Sequence, residues 1–202
     1  GTGFSYEGLC YNPNQIIDYL KYAIKKPEKK NKNKIEPYYE GFKGKIIKIE
    51  KDKFLYKGNY EIISHDTIRI TELPIGTWTS DYKAYLETLI EDKTKNGKKK
   101  KPIVKTYIDS CTDTIVEFTV KLHLGMLPDL ISNNVTKHVN QLEKVFKLTT
   151  TKKTSNMYLF NKEQQLRKYE TIYDIIDEFV QIRLDAYDRR KAYIIDMLEK
   201  QL

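Results

Sequence analysis

Apolar residues recur along this chain with two different periods, and the changes of period mark out its elements. Ile16, Ile17, Leu20, Ala23 and Ile24 fall on one side of a helix that Asn12 caps, Pro13 starts and Pro27 ends. From Gly44 the period drops to two. Short runs over 45–50, 53–57, 59–64 and 67–71, separated by Lys51-Asp52, Gly58-Asn59 and His65-Asp66, predict an antiparallel meander. In the last run Ile68 and Ile70 share one face and Thr67, Arg69 and Thr71 the other, so one side is buried and one is wet.

Helical spacing returns at Tyr82, Tyr85, Leu86, Leu89 and Ile90, with Thr79 as the expected cap. The lysine-dense stretch 93–101 around Asn96-Gly97, like 25–34 before it, offers no core and reads as a mobile loop. Strands follow over 103–109 and 115–124, the second with Val116, Phe118, Val120, Leu122 and Leu124 on one side. A helix is expected between Asp129 and Val145 and a strand near 157–160. Thr171 and Asp174 then form a capping box for a long terminal helix with a stripe from Ile172 to Leu198. The fold class is α+β.

Composition adds a partner class. With 36 Lys+Arg against 28 Asp+Glu in 202 residues, the net charge of +8 favours a polyanion such as nucleic acid. Cys10 and Cys111 form no CxxC and no signal peptide precedes them, which points to a reducing intracellular setting. No apolar run reaches the roughly 20 residues that span a bilayer. The chain starts Gly-Thr-Gly without an initiator Met, and is read as a piece of something longer.

Several chemistries have no residues to carry them. His65, His123 and His138 lie in different predicted elements, so spacing supports neither a zinc site nor a histidine triad. There is no Asp-x-Asp pair for two-metal phosphoryl transfer and no P-loop. Periodicity and charge alone describe a basic α+β domain without a task.

A series of longer strings supplies one. Gly1-Thr2-Gly3-Phe4-Ser5 followed by Tyr11-Asn12-Pro13, then Gly41-Phe42-Lys43-Gly44-Lys45-Ile46, resemble the type IIA DNA topoisomerase core. Glu72-Leu73-Pro74-Ile75-Gly76-Thr77-Trp78-Thr79, with Asp81-Tyr82-Lys83 after it, is the strongest match and looks like the eukaryotic branch. Thr112-Asp113-Thr114, Lys144-Val145-Phe146-Lys147-Leu148, Asn156-Met157 with Leu159-Phe160, and Arg183-Leu184 with Tyr187 and Arg190-Lys191 complete the series in the family's order. Gly8-Leu9-Cys10 stands where the family has an Ile-Pro pair, and the lysine-rich insertions are unusual, so the chain resembles a divergent member, of a protist or a large DNA virus.

The resemblance implies a homodimeric enzyme that cuts one duplex through a tyrosyl phosphodiester, passes a second through the gap using ATP and Mg2+, and reseals. It implies a nuclear location, or the host cytoplasm for a viral enzyme. This segment corresponds to the tower region: 1–26 as a turn and helix beside the DNA gate, 27–165 as a tower-like α+β domain built on the meander, and 166–202 as a long helix starting a coiled-coil arm. The nucleophilic tyrosine, the magnesium-binding acidic residues and the ATPase lie upstream in that family, so this segment holds no catalytic residue, metal or cofactor. Its expected task is to grip and bend the cleaved duplex. Gly1, Thr2 and Gly3 are the expected DNA neighbours beside the family's wedge residue, with Lys43, Lys45, Lys98, Lys99 and Lys100 as phosphate contacts. Trp78 is expected in the core, and Arg183, Arg189 and Arg190 either pair with Asp185 and Asp188 or meet DNA. A stand-alone basic DNA-binding or architectural module, and a purely structural interaction domain, remain alternatives.

Overall fold

A computed structural model describes residues 4–25, 34–91, 93–95, 98–100 and 102–201, with the backbone alone for 93–95 and 98–100. Contacts divide the chain into two compact units, one made of 1–40 with 153–202 and the other of 41–152. The sequence expectation of three consecutive pieces differs because the first and last segments share a core. Helix α1 (Pro13–Lys25) and the long helix α5 (Ile172–Glu199) belong to one unit.

In that unit Tyr19 of α1, Ile35 and Ile176 of α5 are buried together, with Ile16, Leu20, Ile172, Tyr173 and Val180 around them. Tyr19 donates its hydroxyl to Asp177 at 2.9 Å, and Ile35 N donates to the Tyr173 hydroxyl at 2.9 Å. The buried face of α1 is thus centred on Tyr19, while Ile17 and Ile24 are exposed, because an aromatic with a polar tip can bridge two helices where an aliphatic cannot. The Thr171–Asp174 capping box forms as expected. Only Ile176 of α5 is fully buried, and Phe179, Tyr187, Ile194 and Leu198 stand exposed along its later turns. A short hairpin, Tyr158–Phe160 against Leu166–Lys168, completes the unit.

The second unit carries most of the β structure. Strands β1 (Lys45–Glu50), β2 (Lys53–Lys57), β3 (Asn59–Ile62) and β4 (Thr67–Glu72) fall within a residue or two of the predicted runs. They are not one sheet: β1 and β2 join Thr149–Lys153 in a three-stranded sheet, while β3 and β4 join a four-stranded sheet in the order β3-β4-β8-β7. Here β5 and β6 are the pair Lys93–Lys95 and Lys98–Lys100, β7 is Val104–Asp109 and β8 is Phe118–Leu122. The lysine stretch expected as a loop therefore contains a hairpin. Its two strands flank Asn96-Gly97, the dipeptide that most favours two-residue hairpin connections, and that local signal outweighs lysine's poor strand propensity.

One face of the four-stranded sheet is the core. Ile68, Ile70, Phe118, Val120, Leu122 and Val104 point inward, and α2 (Thr79–Ile90) covers them with Tyr82 and Leu86. The expected helix between Asp129 and Val145 is broken into α3 (Met126–Ser132) and α4 (Gln141–Val145), with the two short strands Asn134–Thr136 and Val139–Asn140 between them. Asn140 stops continuity by acting as the N-cap of α4, in a capping box with Glu143. Leu127, Leu130, Leu142, Phe146 and Leu148 close the core from this side.

Candidate nucleic-acid interface

The scattered strings read in the sequence meet one another in space. Glu72 accepts a hydrogen bond from Lys43 N at 3.1 Å, and Asn59 Nδ2 donates to Lys43 O at 2.7 Å. Tyr82 donates to Phe146 O at 2.8 Å and Tyr85 to Val145 O at 2.5 Å. In the other unit, Asn156 Nδ2 donates to Ser5 Oγ at 2.6 Å, and the Phe4 and Phe160 rings meet edge to face at 5.3 Å. Two glycines of these strings have backbone reasons. A Cβ on Gly44 would lie 2.1 Å from Lys57 O, and Gly76 has φ +87°, where side chains with a Cβ are strained. These residue choices are joints of the fold.

Lys43 and Lys45, two residues apart at the entry to β1, are both exposed. Their backbone is fixed by the Glu72 and Asn59 bonds, so the side chains project from a held edge strand. Lys45 faces Lys57 across the β1–β2 pair. Lys57 is neutralised by a nearly buried ion pair with Glu143 at 2.7 Å and also donates to His138 O at 2.7 Å, which leaves the Lys45 charge to solvent. Lys98, Lys99 and Lys100 form β6, paired with Lys95, Thr94 and Lys93. Their side chains, and the whole of Gly1, Thr2 and Gly3, lie outside the described residues.

Two expectations are corrected. Trp78 is not in the core: it is 75% exposed. The positive-φ turn at Gly76 leads into α2, and Leu73 and Pro74 fill the buried positions while Trp78 stands outside as the helix's N-cap residue. Thr79 is accordingly the first residue of α2, not its cap. Arg183 pairs with neither Asp185 nor Asp188 among the described residues. Its guanidinium lies 4.9 Å from the Tyr187 ring centre and donates to the Tyr187 hydroxyl at 3.0 Å. Arg189 donates to Asp185 O, one turn back, at 3.4 Å.

The sequence reading passed over the outer face of the four-stranded sheet. Register places Thr67 beside Lys121 and Lys121 beside Thr106, with Arg69 beside Thr119 in the next row. A bulge between Val104 and Thr106 turns both Lys105 and Thr106 outward, while Val104 stays buried and Tyr107 packs on the core. At the end of this face Asp66 is buried. Hydrogen bonds from Thr67 and Ser64 hold its carboxyl below the usual carboxylate range, helped by Lys121 at 3.5 Å. The alternation of Thr67, Arg69 and Thr71 signalled a wet face, but nothing local signalled the bulge.

None of the titrating tyrosines is set up as a nucleophile. Burial raises Tyr11 to about 12, and burial followed by a hydrogen bond to Glu87 raises Tyr107 to about 12. Tyr82 and Tyr19 are raised further, mainly by burial. Among the described residues no three carboxylate, imidazole or thiol groups converge to hold a metal ion, so no step is routed through a metal held by this chain. Cys10 and Cys111 are free, and no described helix is long and apolar enough to cross a membrane.

The comparisons with known proteins agree with the strings. The family model for the A subunit of DNA gyrase/topoisomerase IV matches residues 1–202. DNA topoisomerase 2 of Plasmodium falciparum is 38% identical over 201 residues, covering 100% of this chain and 13% of the relative. DNA topoisomerase 2 of Acanthamoeba polyphaga mimivirus is 31% identical over 253 residues, covering 100% of this chain and 19% of the relative. The crystal structure of the Plasmodium falciparum topoisomerase II DNA-binding, cleavage and re-ligation domain superposes with a TM-score of 0.84 at 38% identity, covering 100% of this chain and 25% of that one. The chain thus spans about an eighth to a fifth of these relatives' length. On the match along its whole length, this chain belongs to the DNA gyrase/topoisomerase IV family, as a part of the A-type polypeptide.

Proposed function

We propose that this chain is a DNA-handling segment of an ATP-dependent type II DNA topoisomerase, which passes one duplex through a transient double-strand break in another. The observation that carries the reading is the whole-length match to a solved DNA-binding, cleavage and re-ligation domain. Within the full-length protein the segment grips and bends the cleaved duplex. Lysine-to-phosphate contacts fix its register without reading bases, and the wrapped contacts offset the cost of bending. Lys43 and Lys45, on a strand edge held by Glu72 and Asn59, support that role by position. The full-length protein is a homodimer that uses Mg2+ and ATP, and it works in the nucleus, or in the host cytoplasm if viral.

The chemistry lies outside this chain, whose tyrosines are buried or tied to carboxylates. The full-length protein incubated with supercoiled plasmid and Mg2+ is expected to yield protein-linked DNA ends on denaturation, and the 202-residue chain alone none. Protein-linked ends formed by this chain alone would overturn the assignment. A stand-alone architectural module, the other reading, predicts no linked ends from the full-length protein either.

A further inference from the structure

The basic end of the four-stranded sheet's outer face is built by non-local pairing, and it is absorbed by none of the strings above. Lys105 on β7 and Lys121 on β8 rise from adjacent strands, with the hydroxyls of Thr67 and Thr106 flanking Lys121 in register. A half-open cleft of about 710 Å³ lies at this end, lined by His65, Asp66, Lys105, Lys121, His123 and Met126 among others. It is too open to enclose a small ligand, since such sites bury most of the ligand's surface. Its flat threonine-and-lysine floor suits a ligand that passes across it.

Three details single out this end. The bulge presents Lys105 outward where a regular strand would have turned Thr106 inward. Lys105 takes part in no ion pair among the described residues, so its charge is uncommitted. Asp66, fixed by Ser64 and Thr67, holds Lys121 at 3.5 Å while that lysine remains about half exposed. Such a contact orients the ammonium without removing it from solvent, where a second anion can share it.

The geometry points to Lys105 and Lys121, with the hydroxyls of Thr67 and Thr106, as a contact for consecutive backbone phosphates of duplex DNA on the outer face of this sheet. Lysine and threonine are side chains that position a duplex by its phosphates. This inference rests on the DNA-handling reading and adds a surface to it, separate from Lys43 and Lys45.

The test is the salt dependence of binding. The full-length protein is titrated against a fluorescently labelled duplex by anisotropy over a series of KCl concentrations. Each lysine-phosphate contact contributes about 0.9 to the slope of log affinity against log salt. Lys105→Ala, whose side chain holds no ion pair, is expected to reduce the slope by about 0.9, and Lys105→Ala with Lys121→Ala by about 1.8. Lys105→Arg with Lys121→Arg is expected to retain the wild-type slope. A double alanine variant with wild-type slope and affinity overturns the proposal, and a steep wild-type slope in the same experiment leaves the DNA-handling reading standing. A shallow wild-type slope overturns both. If inorganic phosphate protects Lys105 from acetylation as well as duplex does at equal phosphate concentration, the cleft is a free-anion site and the proposal is overturned.

Discussion

At the scale of single residues, the tyrosines show how this chain uses an acidic side chain without using its acidity. A phenol that attacks phosphorus is helped by cations that favour the phenolate. Here burial comes first and carboxylate partners second: Tyr19 donates to Asp177, Tyr107 to Glu87 and Tyr169 to Glu178. These hydroxyls tie elements together as donors. The sign of the resulting pH dependence follows. Tyr107 ionises near 10 when unfolded and near 12 when folded, so the unfolded state loses its proton first. The stability it contributes is complete below pH 10 and lost as pH rises to about 12. Urea unfolding across that window is expected to weaken less steeply with pH in Tyr107→Phe than in the wild type. Equal steepness would show that the Glu87 contact is not holding the proton.

At the scale of elements, what could be read from the sequence was what neighbours in sequence decide. Asn12-Pro13 and the Thr171–Asp174 box fixed two helix starts, and alternation located β1 to β4, β7 and β8 to within a few residues. What could not be read depends on partners far along the chain. Gly58 separates two sheets because its N–H bonds Leu148 O at 2.9 Å, and no local pattern announces that bond. The strand Thr149–Lys153 has a polar sequence and exists as the third strand beside β2. Of the candidate DNA contacts, Lys43 and Lys45 came from a local string, whereas Lys105 and Lys121 come together only through register and a bulge.

The ion pair between Lys57 of β2 and Glu143 of α4 is a non-local tie of the same kind, with side chains only 16% and 9% exposed. Removing one partner leaves a buried charge, which costs about 3–5 kcal/mol, whereas removing both charges is close to neutral. Lys57→Met is therefore expected to destabilise by about 3 kcal/mol. Adding Glu143→Gln, which keeps a group able to serve the α4 capping box, is expected to restore more than half of that loss. Additive losses in denaturant titrations of the two single variants and the double would show the pair to be uncoupled.

At the scale of the whole molecule, a basic surface became an argument about DNA only when the ordered strings were joined to a matching fold. The net charge of +8 indicated a polyanion and no more. The strings turned out to meet as structural joints, Lys43 with Glu72, Tyr82 with Phe146 and Ser5 with Asn156, which explains why they recur with the architecture. The exposed apolar turns of α5 and the exposed Trp78 show that the segment presents uncovered apolar surface as well as charge. The central claim is that the protein containing this segment moves one duplex through another, and plasmid topology reads that directly. With ATP and Mg2+, the full-length protein acting on a single purified topoisomer is expected to produce new topoisomers whose linking numbers differ from the start only by even steps, as passage through a double-strand break requires. Odd steps, or no change in linking number when ATP is supplied, would contradict the account.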